Sequence, residues 1–183
     1  MAKKLVFVYV MIVLLAVLIV LVCFLLQFIT TNVNIGETKE ADIIKTTETV
    51  EWSIPAGFIK PDSIDVAGDA VLITKGCRQL TARTTVERAY GIFNGLYNRT
   101  EQRPDIYEGV AALLESYGIK MDYVLVYGFE DETFYSDAYF RSGNTILQLD
   151  MKPSDAMAVA LRMNAVIYFN QTLFNEMSDN ICQ

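Results

Sequence analysis

The sequence predicts an α+β fold, an antiparallel or mixed β-sheet with three to four helices, preceded by one N-terminal transmembrane helix. Three observations carry this reading. An uncharged apolar run fills residues 5–26; apolar side chains recur at helical spacing in later stretches; and β-prone runs broken by Gly, Pro, Asn and acidic turns lie between them. The chain then divides into a signal-anchor helix over residues 1–29, a flexible polar tether over 30–49 and an α+β domain over 50–183. With 52% apolar residues among 183, it is long enough to bury one well-packed core.

Residues 5–26 contain no charge, proline, glycine or amide. At roughly 1.5 Å per residue they span about 33 Å, enough to cross the hydrocarbon of a bilayer. A cleaved signal peptide and a buried core helix are the competing readings. The run is too long for the first and too uniformly apolar for the second. No small-residue cleavage site follows, since the chain continues Gln27-Phe28-Ile29-Thr30-Thr31. Lys3 and Lys4 flank one end, while Lys39 and Lys45 lie further from the other among Glu37, Glu40 and Asp42. That asymmetry places the N-terminus in the cytoplasm and the C-terminal domain outside a cell membrane crossed once. Asn-x-Thr sequons at Asn98 and Asn170, and cysteines at 77 and 182, suit an outer face. The sequence alone leaves open whether those cysteines pair or stand as separate thiols.

Residues 30–49 are rich in Thr, Glu, Lys and Asn and lack hydrophobic period, hence the tether. Strands are expected at 50–54, 63–66 and 70–74, punctuated by Pro55, Gly57, Pro61 and Gly68. A first helix follows a Thr84-x-x-Glu87 capping box and places Val86, Tyr90, Phe93 and Tyr97 on one face. The second opens after Pro104, carries Ile106, Val110, Leu113, Leu114 and Tyr117, and stops at Gly118. Residues 121–129, 133–141 and 145–151 read as a three-stranded antiparallel meander turning at Glu130-Asp131-Glu132 and Ser142-Gly143-Asn144. Beyond it come a helix over 154–163, a strand over 165–169 and a short helix over 170–177. The stripe of Ala156, Val159, Ala160 and Met163 reads as core, its small residues allowing close approach to a sheet or a second subunit.

The chain carries 15 basic and 22 acidic residues, and setting aside Lys3 and Lys4 leaves 13 against 22. Such a domain repels polyanions at long range. One stretch runs the other way: Lys75, Arg78, Arg83, Arg88, Arg99 and Arg103 face only Glu87 and Glu101. A basic patch and an ordinary solvated charge distribution both fit this pattern.

Leu149-Asp150-Met151-Lys152-Pro153-Ser154-Asp155-Ala156, an apolar helix, and then Asn164-Ala165-Val166-Ile167-Tyr168 form a further pattern. It resembles the signature of the bifunctional nuclease family, where an acidic strand end leads into Arg-Pro-Ser-Asp-Ala, an apolar helix and a strand beginning Gly-Ala-Pro-Ile. Upstream, Arg103-Pro104 opens a helix ending Leu114-Glu115-Ser116, followed by Asp122-Tyr123-Val124 and Asp131-Glu132-Thr133-Phe134-Tyr135 in the family's order. The resemblance covers about residues 70–176. It implies a small α+β domain, often dimeric, with nuclease activity on DNA and RNA. Departures are visible: Tyr107 stands where the family commonly has histidine, and Thr81-Ala82-Arg83-Thr84 replaces a Pro-Ile-Trp-Ile-Gly stretch.

Phosphodiester hydrolysis needs a positioned water, a base or metal to deprotonate it, and positive charge for the phosphorane. The chain has no histidine, which excludes imidazole chemistry and leaves carboxylate-bound Mg²⁺ or Mn²⁺ as the divalent cofactor of a nuclease. By family position, Glu87, Glu108, Asp155 and Arg103 are the catalytic candidates, with Glu108, Asp150 and Asp155 as metal ligands. Lys75, Arg78, Arg83, Arg141 and Lys152 are the candidates for binding substrate phosphates. Structural roles compete for several of them: Glu87 in a capping box, Asp155 at a helix start, Arg103 ahead of an acidic first turn. Expected partners are a membrane, nucleic acid and a second copy of the chain. A non-catalytic dimeric binding module on the membrane surface is the alternative function.

Overall fold

A computed structural model describes residues 54–182 and, as backbone only, Ile44–Glu48. The expected anchor over 1–29, most of the tether, and all but the last residue of the strand over 50–54 lie outside the described residues. Among the described residues no helix is long and apolar enough to cross a membrane.

Among the described residues, ten strands and four helices make a mixed α+β fold with two sheets. The strands are β1 (Ile44–Glu48), β2 (Phe58–Ile59), β3 (Ser63–Ala67), β4 (Ala70–Lys75), β5 (Arg78–Arg83), β6 (Lys120–Glu130), β7 (Thr133–Ser142), β8 (Thr145–Met151), β9 (Val166–Asn170) and β10 (Ser178–Asn180). The helices are α1 (Val86–Leu96), α2 (Ile106–Ser116), α3 (Pro153–Arg162) and α4 (Gln171–Met177). One sheet runs β1-β8-β7-β6-β9-β2 and the other β10-β5-β4-β3. The expected meander is β6-β7-β8, and β9 joins β6 in parallel after the crossover through α3.

Strand β1 revises the tether, because Ile44–Glu48 pairs antiparallel with β8. Its Ile-Lys-Thr-Thr-Glu sequence has no apolar alternation, and an edge strand needs only its backbone to pair. Strands β5 and β10 were also not expected; they pair with each other and complete the second sheet.

Alternation along β6 and β7 sorts the large sheet into two faces. Val124, Val126, Ala138 and Phe140 point into the core, where they join Val71, Ile73 and Leu80 of the second sheet and Ala156, Met157, Val159 and Ala160 of α3. Full burial of a side chain such as Met157 or Val159 contributes about 1.5–3 kcal/mol. The small-residue stripe of α3 is thus spent on this packing. The opposite face carries Tyr123 and Tyr139, whose ring centroids lie 4.6 Å apart, and Arg141, which pairs with Asp122 at 2.6 Å.

Two expectations about α1 are corrected. Its N-cap is Thr85, whose side chain accepts from the Arg88 N–H, so Thr84 and Glu87 do not form a capping box. Its Val86, Tyr90 and Tyr97 face outward, while Ala89, Gly91, Ile92 and Gly95 are buried against α3. On α2, Val110 and Leu114 pack inward, but Ile106, Leu113 and Tyr117 are exposed, Tyr117 at 75%. The predicted stop holds: Gly118 has φ +68, its N–H donates to the Glu115 carbonyl, and the Ile119 N–H reaches the Leu114 carbonyl.

Cys77, in the β4–β5 turn, and Cys182, just past β10, form a disulfide with Cα atoms 5.2 Å apart. Arg78 reinforces the same corner: its Nε donates to Ser178 Oγ at 2.8 Å and its Nη2 to the Ser178 carbonyl at 2.6 Å.

Candidate functional site

Strand β5 ends at Arg83 and hands the chain through Thr84 to the N-cap Thr85 of α1. Strand β8 ends at Met151 and delivers Lys152 as the N-cap of α3, with Pro153 in the first turn. These two junctions lie on one cleft of about 450 Å³ between the sheets. Its floor is Val71, Ile73, Leu80, Val126, Met157 and Phe169; Phe134 forms part of the wall, and Arg83, Arg88, Lys152 and Glu132 stand at the rim. Two helix starts favour an anion there, and three cations stand beside Glu132, two of them with carboxylate partners of their own.

The cations are held unequally. Arg83 Nη1 donates to both oxygens of Asp69, at 2.8 and 3.0 Å, and its side chain is largely exposed. Arg88 Nε lies 3.3 Å from Asp155 Oδ1. Lys152 makes no hydrogen bond or ion pair through its side chain among the described residues, and α3 has no side-chain cap there.

Behind the rim a polar network joins three helices. Tyr107 Oη donates to Asp155 Oδ1 at 2.8 Å, on the same oxygen that faces Arg88. Burial, and then that bond to a carboxylate, push the Tyr107 phenol up to about 12. Tyr139, on the far sheet face, is also pushed up to about 12, by burial and then by Asp137. Both phenols stay protonated across the neutral range. Because folding raises these values above the ordinary one near 10, the stability they contribute is complete below about pH 10 and is lost as pH climbs toward 12. Urea midpoints should therefore fall steeply over that interval. Tyr107→Phe should start less stable at neutral pH, having lost its hydrogen bond, and fall less steeply; an unchanged slope would contradict the assignment.

Arg162, one face-length along α3 from Asp155, completes the network. Its guanidinium donates to Asp105 Oδ2 at 2.6 Å, the Gly91 carbonyl at 2.7 Å and the Ala158 carbonyl at 3.0 Å. Asp105 also caps α2 by accepting from the Glu108 N–H at 2.8 Å. Gly91 is needed for fit, since a Cβ there would lie 2.4 Å from the Tyr107 ring.

The residues singled out from sequence fall into separate places. Arg83 and Lys152 reach the cleft, and Asp155 adjoins it through Arg88. Glu87 is exposed in the first turn of α1, its carboxyl lowered by bonds to its own N–H and the Thr85 hydroxyl. Glu108 sits in the first turn of α2, and Arg103 is exposed ahead of it. Lys75 pairs with Asp62 at 2.6 Å, and it faces Arg78 at the hairpin end of β4–β5, five residues along the strand from Arg83. At about 3.3 Å per residue that is roughly 17 Å, so Lys75, Arg78, Arg83 and Arg103 make no single basic groove. Arg141 and Asp150 occupy the sheet face turned away from α3, by strict alternation with Phe140 and Leu149.

The metal trio fails on the same geometry. Asp150 and Asp155 lie on opposite sides of the large sheet, and among the described residues no three carboxylates, cysteines or histidines gather as a metal-binding group. Glu108, Asp150 and Asp155 therefore do not form one shared site for Mg²⁺ or Mn²⁺. Sequence reasoning missed the roles of Arg88, Tyr107 and Arg162. Tyr107 was marked by standing in the family's histidine position, and Arg162 lies seven residues from Asp155 on one helical face.

No curated protein matches the chain. The profile of the bifunctional nuclease domain matches residues 75–181, a span that takes in β5 to β10, helices α1 to α4 and most of the cleft lining, with Val71, Ile73 and Cys182 outside it. That span is more than half of the chain, and within it the Arg103-Pro104 and Pro153-Ser154-Asp155 helix openings meet through the Tyr107–Asp155 bond; the protein belongs to the bifunctional nuclease domain family.

Proposed function

We propose that this chain is a membrane-anchored nuclease of its family, binding nucleic-acid phosphodiesters at the cleft and hydrolysing them there. The observation that carries the reading is the convergence of Arg83, Arg88 and Lys152 at the cleft rim beside the starts of α1 and α3. In this role the three cations and the helix-start N–H groups hold the phosphate and stabilise charge growing on its oxygens. Asp155 orients Arg88, and Tyr107, as a neutral donor, holds Asp155. The anchor reading rests on residues 5–26, and the Cys77–Cys182 pair supports an oxidising compartment on the outer face. A homodimer is proposed through the exposed apolar residues of α1 and α2, Val86, Tyr90 and Tyr97 with Ile106, Leu113 and Tyr117.

The test is cleavage of DNA and RNA oligonucleotides by the full-length chain in mild detergent, with Mg²⁺, Mn²⁺ or EDTA. Arg88→Ala and Lys152→Ala should each lower the rate by about 10- to 1,000-fold. Glu108→Gln and Arg103→Ala, outside the cleft, should leave it unchanged. Full activity in both rim variants would remove the site, and no cleavage in any arm would overturn the reading.

A further inference from the structure

Resting on that reading, the structure assigns the cleft a narrower substrate: we propose that it takes an unpaired base beneath the phosphate, so that the chain acts on single-stranded nucleic acid. A surface site for a backbone alone needs only cations. Here the cations ring a cavity of about 450 Å³, within the size range of small-ligand pockets, whose floor is apolar throughout. Six buried apolar side chains make that floor, and the half-buried ring of Phe134 stands at its wall. An aromatic wall beside an apolar floor suits a base's flat face, and stacking of this kind tolerates any base. Within a duplex the base stays in its stack unless it is flipped out at a cost of a few kcal/mol, which an unpaired base avoids.

Charge points the same way. At the rim Arg83 and Arg88 are held by Asp69 and Asp155, Lys152 has no carboxylate partner among the described residues, and beyond Lys4 the chain carries 13 basic against 22 acidic residues. Screening confines the rim's attraction to roughly 10 Å. A flexible strand can offer phosphates to the rim alone, whereas a stiff duplex brings two charged backbones over acidic surface.

Fluorescence anisotropy in EDTA, with the full-length chain and one labelled sequence as single strand and as duplex, tests this. The single strand should bind at least about 10-fold more tightly. Phe134→Leu, which keeps an apolar side chain and removes the ring, should weaken single-strand binding by about 5- to 100-fold and leave duplex binding unchanged. Phe134→Trp, which keeps a stacking face, should bind like the parent and guards against loss by misfolding. Equal affinity for the two forms, or a folded Phe134→Leu with parental affinity, would overturn base insertion while the rim variants still report on hydrolysis. Binding of neither form would overturn the nuclease reading together with it.

Discussion

Replacing Cys77 and Cys182 with serine should lower the unfolding free energy by about 3–5 kcal/mol. The two residues are 105 positions apart, so the cross-link removes nearly the whole loop-closure entropy of the domain from its unfolded chain. It also fastens β10, a strand of three residues that could not hold its edge of the second sheet alone. Arg78 contributes to the same corner through Ser178 and the Asn175 carbonyl. Urea denaturation of the parent with and without a reducing agent should show the same displacement as the double serine variant. A displacement under about 1 kcal/mol would mean that β10 is held by its hydrogen bonds.

Arg162→Met should cost a similar amount, about 3–5 kcal/mol, for a different reason. The Arg162 side chain is only 8% exposed, and its removal leaves the Asp105 carboxylate and the Gly91 carbonyl without their cation. Methionine fills much of the volume, so the loss reports unpaired polar groups more than a cavity. Arg162→Met combined with Asp105→Asn should be less damaging than the two single costs added together, because each change removes what the other strands. Strict additivity in a double-mutant cycle would show that the pair does not act as a unit.

Helix α2 and the β6-β7-β8 meander could be read from sequence because period and punctuation agree there, down to the positive φ of Gly118. Helix α1 was legible as a helix but not in its orientation. Its aromatic stripe gave the stronger apolar signal, yet α3 is built from small residues and demands a close neighbour. Gly95 supplies that neighbour: a Cβ there would come within 2.9 Å of Leu161. Close packing of small residues thus outweighed burial of the rings. The cap moved from Thr84 to Thr85 because the Thr84 N–H is bound to the Asp69 carbonyl at 2.9 Å, which ties that residue to the β3–β4 turn.

The site was harder to read than the fold. Arg88, Tyr107 and Asp155 come from three helices and meet only after α3 packs between the other two. Arg141 looked equivalent to Lys152, and Asp150 to Asp155, in a linear reading, but alternation along β7 and β8 turns Arg141 and Asp150 to the far face. Residue type identified plausible phosphate binders; only sheet register separated those at the cleft from the rest.

Photochemical cross-linking of a thiouridine-containing oligonucleotide to the full-length chain, with the linked peptides mapped by mass spectrometry, tests the cleft assignment most directly. Cross-links should fall in residues 126–134 and 152–157, which include Val126, Phe134, Lys152 and Met157 of the cleft. Cross-links confined to the Tyr123 and Tyr139 sheet face, or to the outward stripe of α1, would contradict it.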